Sequence, residues 1–125
     1  MIRQNLYTNC NNLGIGCTIM LSLEEAWIKA AIEHVTLEIT YYNKTKNEVT
    51  VREVEPDYFG WSRNGRNFGC WGICRLRGDN RCFSPDEVRS WKYSGNVFTA
   101  NFAGRWQELL PIYNQRGLES IPFEV

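Results

Sequence analysis

Three arginines, Arg75, Arg77 and Arg81, fall within seven positions of the stretch ICRLRGDNRCF, residues 73–83. Between Trp61 and Phe83 the chain carries Arg63, Arg66, Arg75, Arg77 and Arg81 against Asp79 alone, a local charge of +4 in a chain of formal net charge +0. Such a patch concentrates anions. Arginine suits phosphate in particular, because its planar fork donates two parallel hydrogen bonds and keeps its charge when partly buried. On a strand, Arg75 and Arg77 would share a face. A three-residue loop of Gly78, Asp79 and Asn80 would pair Arg81 with Arg77 on that face, whereas a two-residue loop would turn it away, and the sequence leaves both open. The competing use of these arginines is internal pairing of Arg75 or Arg81 with Glu53, Glu55 or Asp79. Trp61, Phe68 and Trp71 are the nearest aromatics, and rings beside arginines are a common grip on single strands without strong sequence preference.

Other chemistry is thinly represented. The chain has no G-x-S-x-G, no P-loop, no metal-ligand cluster and no histidine near a nucleophilic cysteine, so no enzymatic activity and no cofactor are expected. Five cysteines, Cys10, Cys17, Cys70, Cys74 and Cys82, leave one unpaired under any connectivity. Their spacing lacks the paired C-x-x-C of zinc sites, and the only histidine, His34, is remote in sequence. Reduced, metal-free thiols in strand interiors are expected. With no secretory pattern in residues 1–22 and no apolar run near the 18 to 20 residues of a span, the expected setting is the cytoplasm, away from membranes.

These groups must be positioned by a small fold. At 125 residues, 43% hydrophobic and 22% charged, the chain is one domain in size, able to bury about two thirds of its unfolded surface. Residues 1–21 show no clean period and read as a tail or short strand. Ser22 and Glu25 form a capping box that opens a helix over 23–34, with Leu23, Ala26, Trp27, Ala30, Ala31 and His34 on one face and Glu25 and Lys29 paired outside. The period then falls to two. TLEITYY and EVTVREVE, joined by NKTKN, predict a hairpin over 36–55 stopped by Pro56. DYFGW and NFGCWGICRLR continue the pattern with Gly60, Gly69 and Gly72 inside it, a sign of bends and bulges. Ser84, Pro85 and Glu87 predict a second capping box on a single helical turn, SWKYSGNVFTANF a last hairpin about Ser94–Asn96, and GRWQELLPIY a short helix ended by Pro111. The expected class is mainly β: a small, strongly curved antiparallel barrel with an N-terminal α-helix.

Residues 51–98 also carry a resemblance. Arg52, Val54 and Pro56 match an R-x-V-x-P strand end, and Cys74, Arg75, Leu76, Arg77, Gly78, Asp79, Arg81 and Phe83 match a C-R-L-R-G-D-x-R-x-F segment. In both, this stretch resembles the WYL domain of bacterial regulators. Phe68, Gly69 and Cys70 stand where that family has its Trp-Tyr-Leu, so an aromatic anchor is kept and the tyrosine hydroxyl is not. The resemblance implies an Sm-like or SH3-like barrel over 22–100, followed by a C-terminal extension over 101–125. It further implies a bacterial regulatory module that binds a nucleotide or single-stranded nucleic acid and tunes an effector. Too few residues precede the helix for a winged-helix DNA-binding module, so the chain is expected to act through a partner chain, as a dimer, or as a free-standing ligand-binding domain. The candidate binding residues are Arg66, Phe68, Trp71, Arg75, Arg77 and Arg81. The alternative expectation is a protein-interaction or dimerisation domain with a degenerate ligand site.

Overall fold

The computed structural model describes residues 20–123. The tail or strand expected over 1–21 therefore lies, but for its last two residues, outside the described residues, as do Cys10 and Cys17. Helix α1 spans Leu23–Glu33, and both bonds of the predicted capping box form: the Glu25 amide donates to Ser22 Oγ at 3.2 Å, and the Ser22 amide to Glu25 Oε1 at 3.0 Å. The helix ends at His34, whose φ of 58° reverses the chain into strand β1. β1 (Val35–Asn43) and β2 (Glu48–Trp61) form the predicted hairpin, paired from Leu37 with Val54 to Asn43 with Glu48. β3 (Phe68–Cys74), β4 (Asn80–Phe83) and β5 (Val88–Val97) complete an antiparallel sheet in the order β4-β3-β2-β1-β5. A 3-10 turn, Pro85–Glu87, links β4 to β5.

The mainly β class with an N-terminal helix holds. The sheet is open, because no pairing joins β4 to β5 among the described residues. It is nevertheless coiled, because residues 84–87 alone connect its two edges. Five Cα steps reach at most about 17 Å, and less with a 3-10 turn among them, against about 19 Å across four flat inter-strand spacings. Phe83 on edge strand β4 accordingly meets the ring of Tyr41 on β1, 5.0 Å between centroids.

Three sequence expectations are corrected, each at a residue that interrupts a pattern. Pro56 does not stop its strand: β2 runs on to Trp61 past a bulge at Asp57, the register passing from Pro56 opposite Gly72 to Tyr58 opposite Trp71. A bulge is where a strand tolerates a residue without an N–H. Ser94–Asn96 is not a hairpin turn. It lies within β5, where Leu37 pairs with Tyr93 but Val35 with Val97, and Gly95 takes the left-handed φ of 75° that this irregularity requires. Pro111 does not end a helix but lies in the first turn of α2 (Leu110–Gln115), which follows a 3-10 turn at Trp106–Leu109. The missing N–H costs nothing there. The second capping box also fails to form. Ser84 makes no side-chain cap, and the Glu87 carboxylate instead accepts from Tyr41 Oη at 2.9 Å.

The core lies between α1 and the concave side of the sheet, around Trp27, Leu37, Ile39, Val54, Cys70 and Phe83, and is closed by Leu109, Tyr113, Leu118 and Ile121 of the C-terminal segment. That segment also corrects the expected outward pair of Glu25 and Lys29. Both are buried beneath it, Lys29 Nζ donating to Glu33 Oε2 and to the Leu118 carbonyl, each at 2.8 Å, while Glu25 faces Arg116.

Candidate functional site

The arginine segment is organised by the turn between β3 and β4. Cys74 donates its amide to the Asp79 carbonyl at 3.1 Å and accepts the Gly78 amide at 2.6 Å, so the loop is the four residues Arg75–Gly78. Gly78 closes it with φ at 73°. The Arg75 amide donates to the Glu53 carbonyl at 3.0 Å, which ties the turn to β2. Neither expected loop is therefore present. Arg75 and Arg77 are turn residues, Arg81 faces Gly72, and Asn80 faces Ile73.

Two of the three arginines are occupied. Arg75 Nε meets Glu55 Oε2 at 3.0 Å, and its guanidinium approaches Glu53 at 3.9 Å. Glu53 is itself a junction, accepting from Thr36 Oγ1 at 2.7 Å and from the Asn96 amide. Those two hydrogen bonds, Asn96 first, and then the Arg75 charge hold its carboxyl below the ordinary glutamate range. Arg75 thus braces β2 against the end of β5, where it also reaches the Val97 carbonyl at 3.5 Å. Arg81 pairs with Asp79 at 3.0 Å. Internal pairing, the competing use of these side chains, is realised for both. Arg77 is exposed and makes no ion pair among the described residues.

The residue brought to Arg81 is Arg52. Together with Tyr41, Asn43, Asn80 and the Asp79 carboxylate that pairs with Arg81, they line a polar cavity of about 270 Å³ between the β4 edge and the β1–β2 hairpin. Arg52 meets no carboxylate among the described residues. Its Nε donates to Thr50 Oγ1 at 3.2 Å, and Nη1 lies 3.8 Å from Cys74 Sγ. In the sequence Arg52 stood only as a motif position. The available signal was its parity with Val54, and pairing with the fully buried Ile39 shows why its stem is covered.

The aromatic candidates lie elsewhere. Trp61 pairs with Phe68 at the far end of β3, their ring centroids 5.2 Å apart, and both rings are exposed. Arg66 sits in the loop that joins them, its amide held by Ser62 Oγ and Asn64 Oδ1 and its side chain exposed without an ion pair among the described residues. Trp71 is fixed by a bond from Nε1 to the Gly60 carbonyl at 3.0 Å, and its own carbonyl accepts from Trp27 Nε1 at 3.0 Å. Of the six predicted residues, Arg66 and Phe68 lie at one end of β3 and Arg75 and Arg77 at the other, about 20 Å apart at 3.3 Å per residue, while Trp71 is mid-strand and Arg81 lies opposite Gly72.

Cys70, Cys74 and Cys82 are free thiols. Burial, with a smaller effect of Cys82, pushes the Cys70 thiol well above its ordinary range. No helix among the described residues is long and apolar enough to cross a membrane.

No protein family matches the chain, and no curated protein is similar to it in sequence. Among solved structures it is similar to proteasome accessory factor B/C (PafBC) of Arthrobacter aurescens, at 23% identity and a TM-score of 0.49. That likeness covers 69% of this chain and 15% of the longer one.

Proposed function

We propose that the chain is a regulatory module that holds single-stranded nucleic acid or a nucleotide by its phosphates and acts on a partner chain. The observation that carries this is the cavity shared by Arg52 and Arg81, in which Arg52 has no carboxylate partner among the described residues. A part-buried guanidinium is costly to desolvate unless an anion answers it, and phosphate presents the matching pair of acceptors. Arg77 on the adjoining turn adds an uncommitted charge. Arg66 and Phe68, at the other end of β3, supply a second charge beside an exposed ring. A span of about 20 Å corresponds to on the order of six stacked nucleotides at 3.4 Å each, which favours an extended strand over a mononucleotide. The resemblance of residues 51–98 to the WYL domain supports the same ligand class.

The test is fluorescence anisotropy of labelled oligothymidylate and oligouridylate across a salt series, with folding checked by circular dichroism. Arg52→Ala with Arg81→Ala is expected to weaken binding at least tenfold. It should also flatten the log–log salt slope by about 1.4, at about 0.7 per neutralised phosphate. Parent-like affinity and slope in a folded double variant would overturn the assignment. A second reading, a dimerisation domain, is favoured by β5, whose ten-residue outer edge pairs with no strand among the described residues. A concentration-dependent doubling of mass, with no oligonucleotide binding by the parent, selects that reading instead.

A further inference from the structure

A larger cavity, of about 400 Å³, lies on the other side of β2 and β3, roofed by residues 98–106. Its volume is that of a small-molecule site. Four aromatic side chains line it, Tyr58, Trp71, Phe98 and Trp106. Both indole N–H groups are committed to backbone carbonyls. Trp71 Nε1 donates to the Gly60 carbonyl at 3.0 Å and Trp106 Nε1 to the Asn101 carbonyl at 2.9 Å, while the guanidinium of Arg105 covers the Tyr58 ring at 3.7 Å.

Arg105 is held in turn. It forms a two-pronged pair with Glu108, both contacts at 3.0 Å, and donates to the Trp61 carbonyl at 2.8 Å. Its amide donates to both oxygens of Asp57, each at 3.0 Å, and Asp57 is the residue that the β2 bulge sets out of register. Gly104 lets the roof approach that closely, because a side chain there would collide with the Asp57 carboxylate. The roof is thus clamped to the sheet rather than lying loosely over it. Among the lining side chains, Asn80, Thr99 and the Tyr58 hydroxyl make no hydrogen bond among the described residues. Asn80 and Thr99 are exposed, so the cavity offers ring surfaces inside and an unbonded amide and hydroxyl at its solvent-facing rim.

We infer that this cavity binds a planar heteroaromatic small molecule of nucleoside size, its faces stacked on the aromatic walls and its polar edge bonded to Asn80 and Thr99. Stacking suits any flat π-system, and the amide, with donors and acceptor side by side, matches the edge of a nucleobase. Asn80 lines both this cavity and the one that holds Arg52 and Arg81, so the two are neighbours across the β4 edge, but this one presents ring surface and the other charge.

Isothermal titration of the full chain with adenosine, guanosine and uridine, and with indole as a ring that lacks the polar edge, tests the assignment. At least one nucleoside is expected to bind more tightly than indole. Asn80→Ala should erase that preference, and Ala103→Leu, at an exposed lining position, should fill the cavity and weaken all probes at least tenfold. Both variants are checked by their near-ultraviolet circular dichroism. Absence of binding by every nucleoside, or undiminished nucleoside binding in folded Ala103→Leu, would overturn it. Oligonucleotide anisotropy on Ala103→Leu keeps the two sites apart. Parent-like salt dependence there, with nucleoside binding lost, is the expected pattern, and joint loss would show that the two sites are one.

Discussion

Glu53 concentrates several bonds on one side chain. It takes a hydroxyl from Thr36, an amide from Asn96 and the charge of Arg75, joining β1, the end of β5 and the β3–β4 turn. All three partners favour the ionised form, so its folded pKa lies below the unfolded value of about 4.3. A depressed carboxylate stabilises the fold above its unfolded pKa, and that contribution is lost as pH falls through the folded value. Glu53→Gln should therefore lower stability at pH 7 by on the order of 1 kcal/mol, solvent screening included. The deficit should shrink toward pH 3, which urea titrations of parent and variant between those limits will show. The sequence displayed part of this. Glu53, Glu55 and Asp79 could be named as partners for Arg75 and Arg81 because opposite charges attract across any of several registers. Arg52 could not be placed in a site, because its neighbours depend on one register, Ile39 opposite Arg52, that pattern alone does not select.

At the level of elements, periodicity served best where it ran uninterrupted. The helix with its capping box and the β1–β2 hairpin were legible. Misreadings arose at Pro56, Gly95 and Pro111, residues that punctuate a chain without saying whether the ladder resumes beyond them. A proline fits a bulge or a helix's first turn as well as a strand or helix end, and only tertiary pairing decides. The bulge at Asp57 brings the β2 and β3 backbones close together just before it. A Cβ added to Gly72 would stand 2.6 Å from the Glu55 carbonyl oxygen. Gly72→Ala should therefore part the two strands beside the bulge and cost about 1–3 kcal/mol as overpacking. Gly65→Ala is the control, since φ there is 74° but nothing lies within 4 Å of the new methyl. Its loss should be confined to the backbone penalty, of roughly 1–2 kcal/mol. Thermal melts followed by circular dichroism compare the two, and a widened hydrogen-exchange footprint along β2 and β3 in Gly72→Ala alone identifies the separation.

For the molecule as a whole, the C-terminal segment is part of the core. Leu109 and Leu118 are almost completely buried, in one cluster with Trp27 and Ile39. Leu118→Ala should cost about 2–5 kcal/mol, the range for emptying a buried leucine site. Urea unfolding should stay a single transition, with tryptophan fluorescence and far-ultraviolet circular dichroism coincident, because helix, sheet and tail share that core. Separate transitions would show that the tail unfolds by itself. The coiled sheet, with its edges joined by residues 84–87, also governs how the chain reaches this state. β1 has its first partner within a short hairpin, but its second is β5, and Leu37 must find Tyr93 fifty-six residues later. Loop-closure entropy is spent on β2, β3 and β4 before that last ladder returns any bonds. Such non-local pairing belongs to chains that fold in milliseconds to seconds rather than microseconds. A ribosome adding about 5–20 residues per second takes seconds to make the intervening stretch, so β1 emerges with one side unpaired and waits for a strand not yet synthesised.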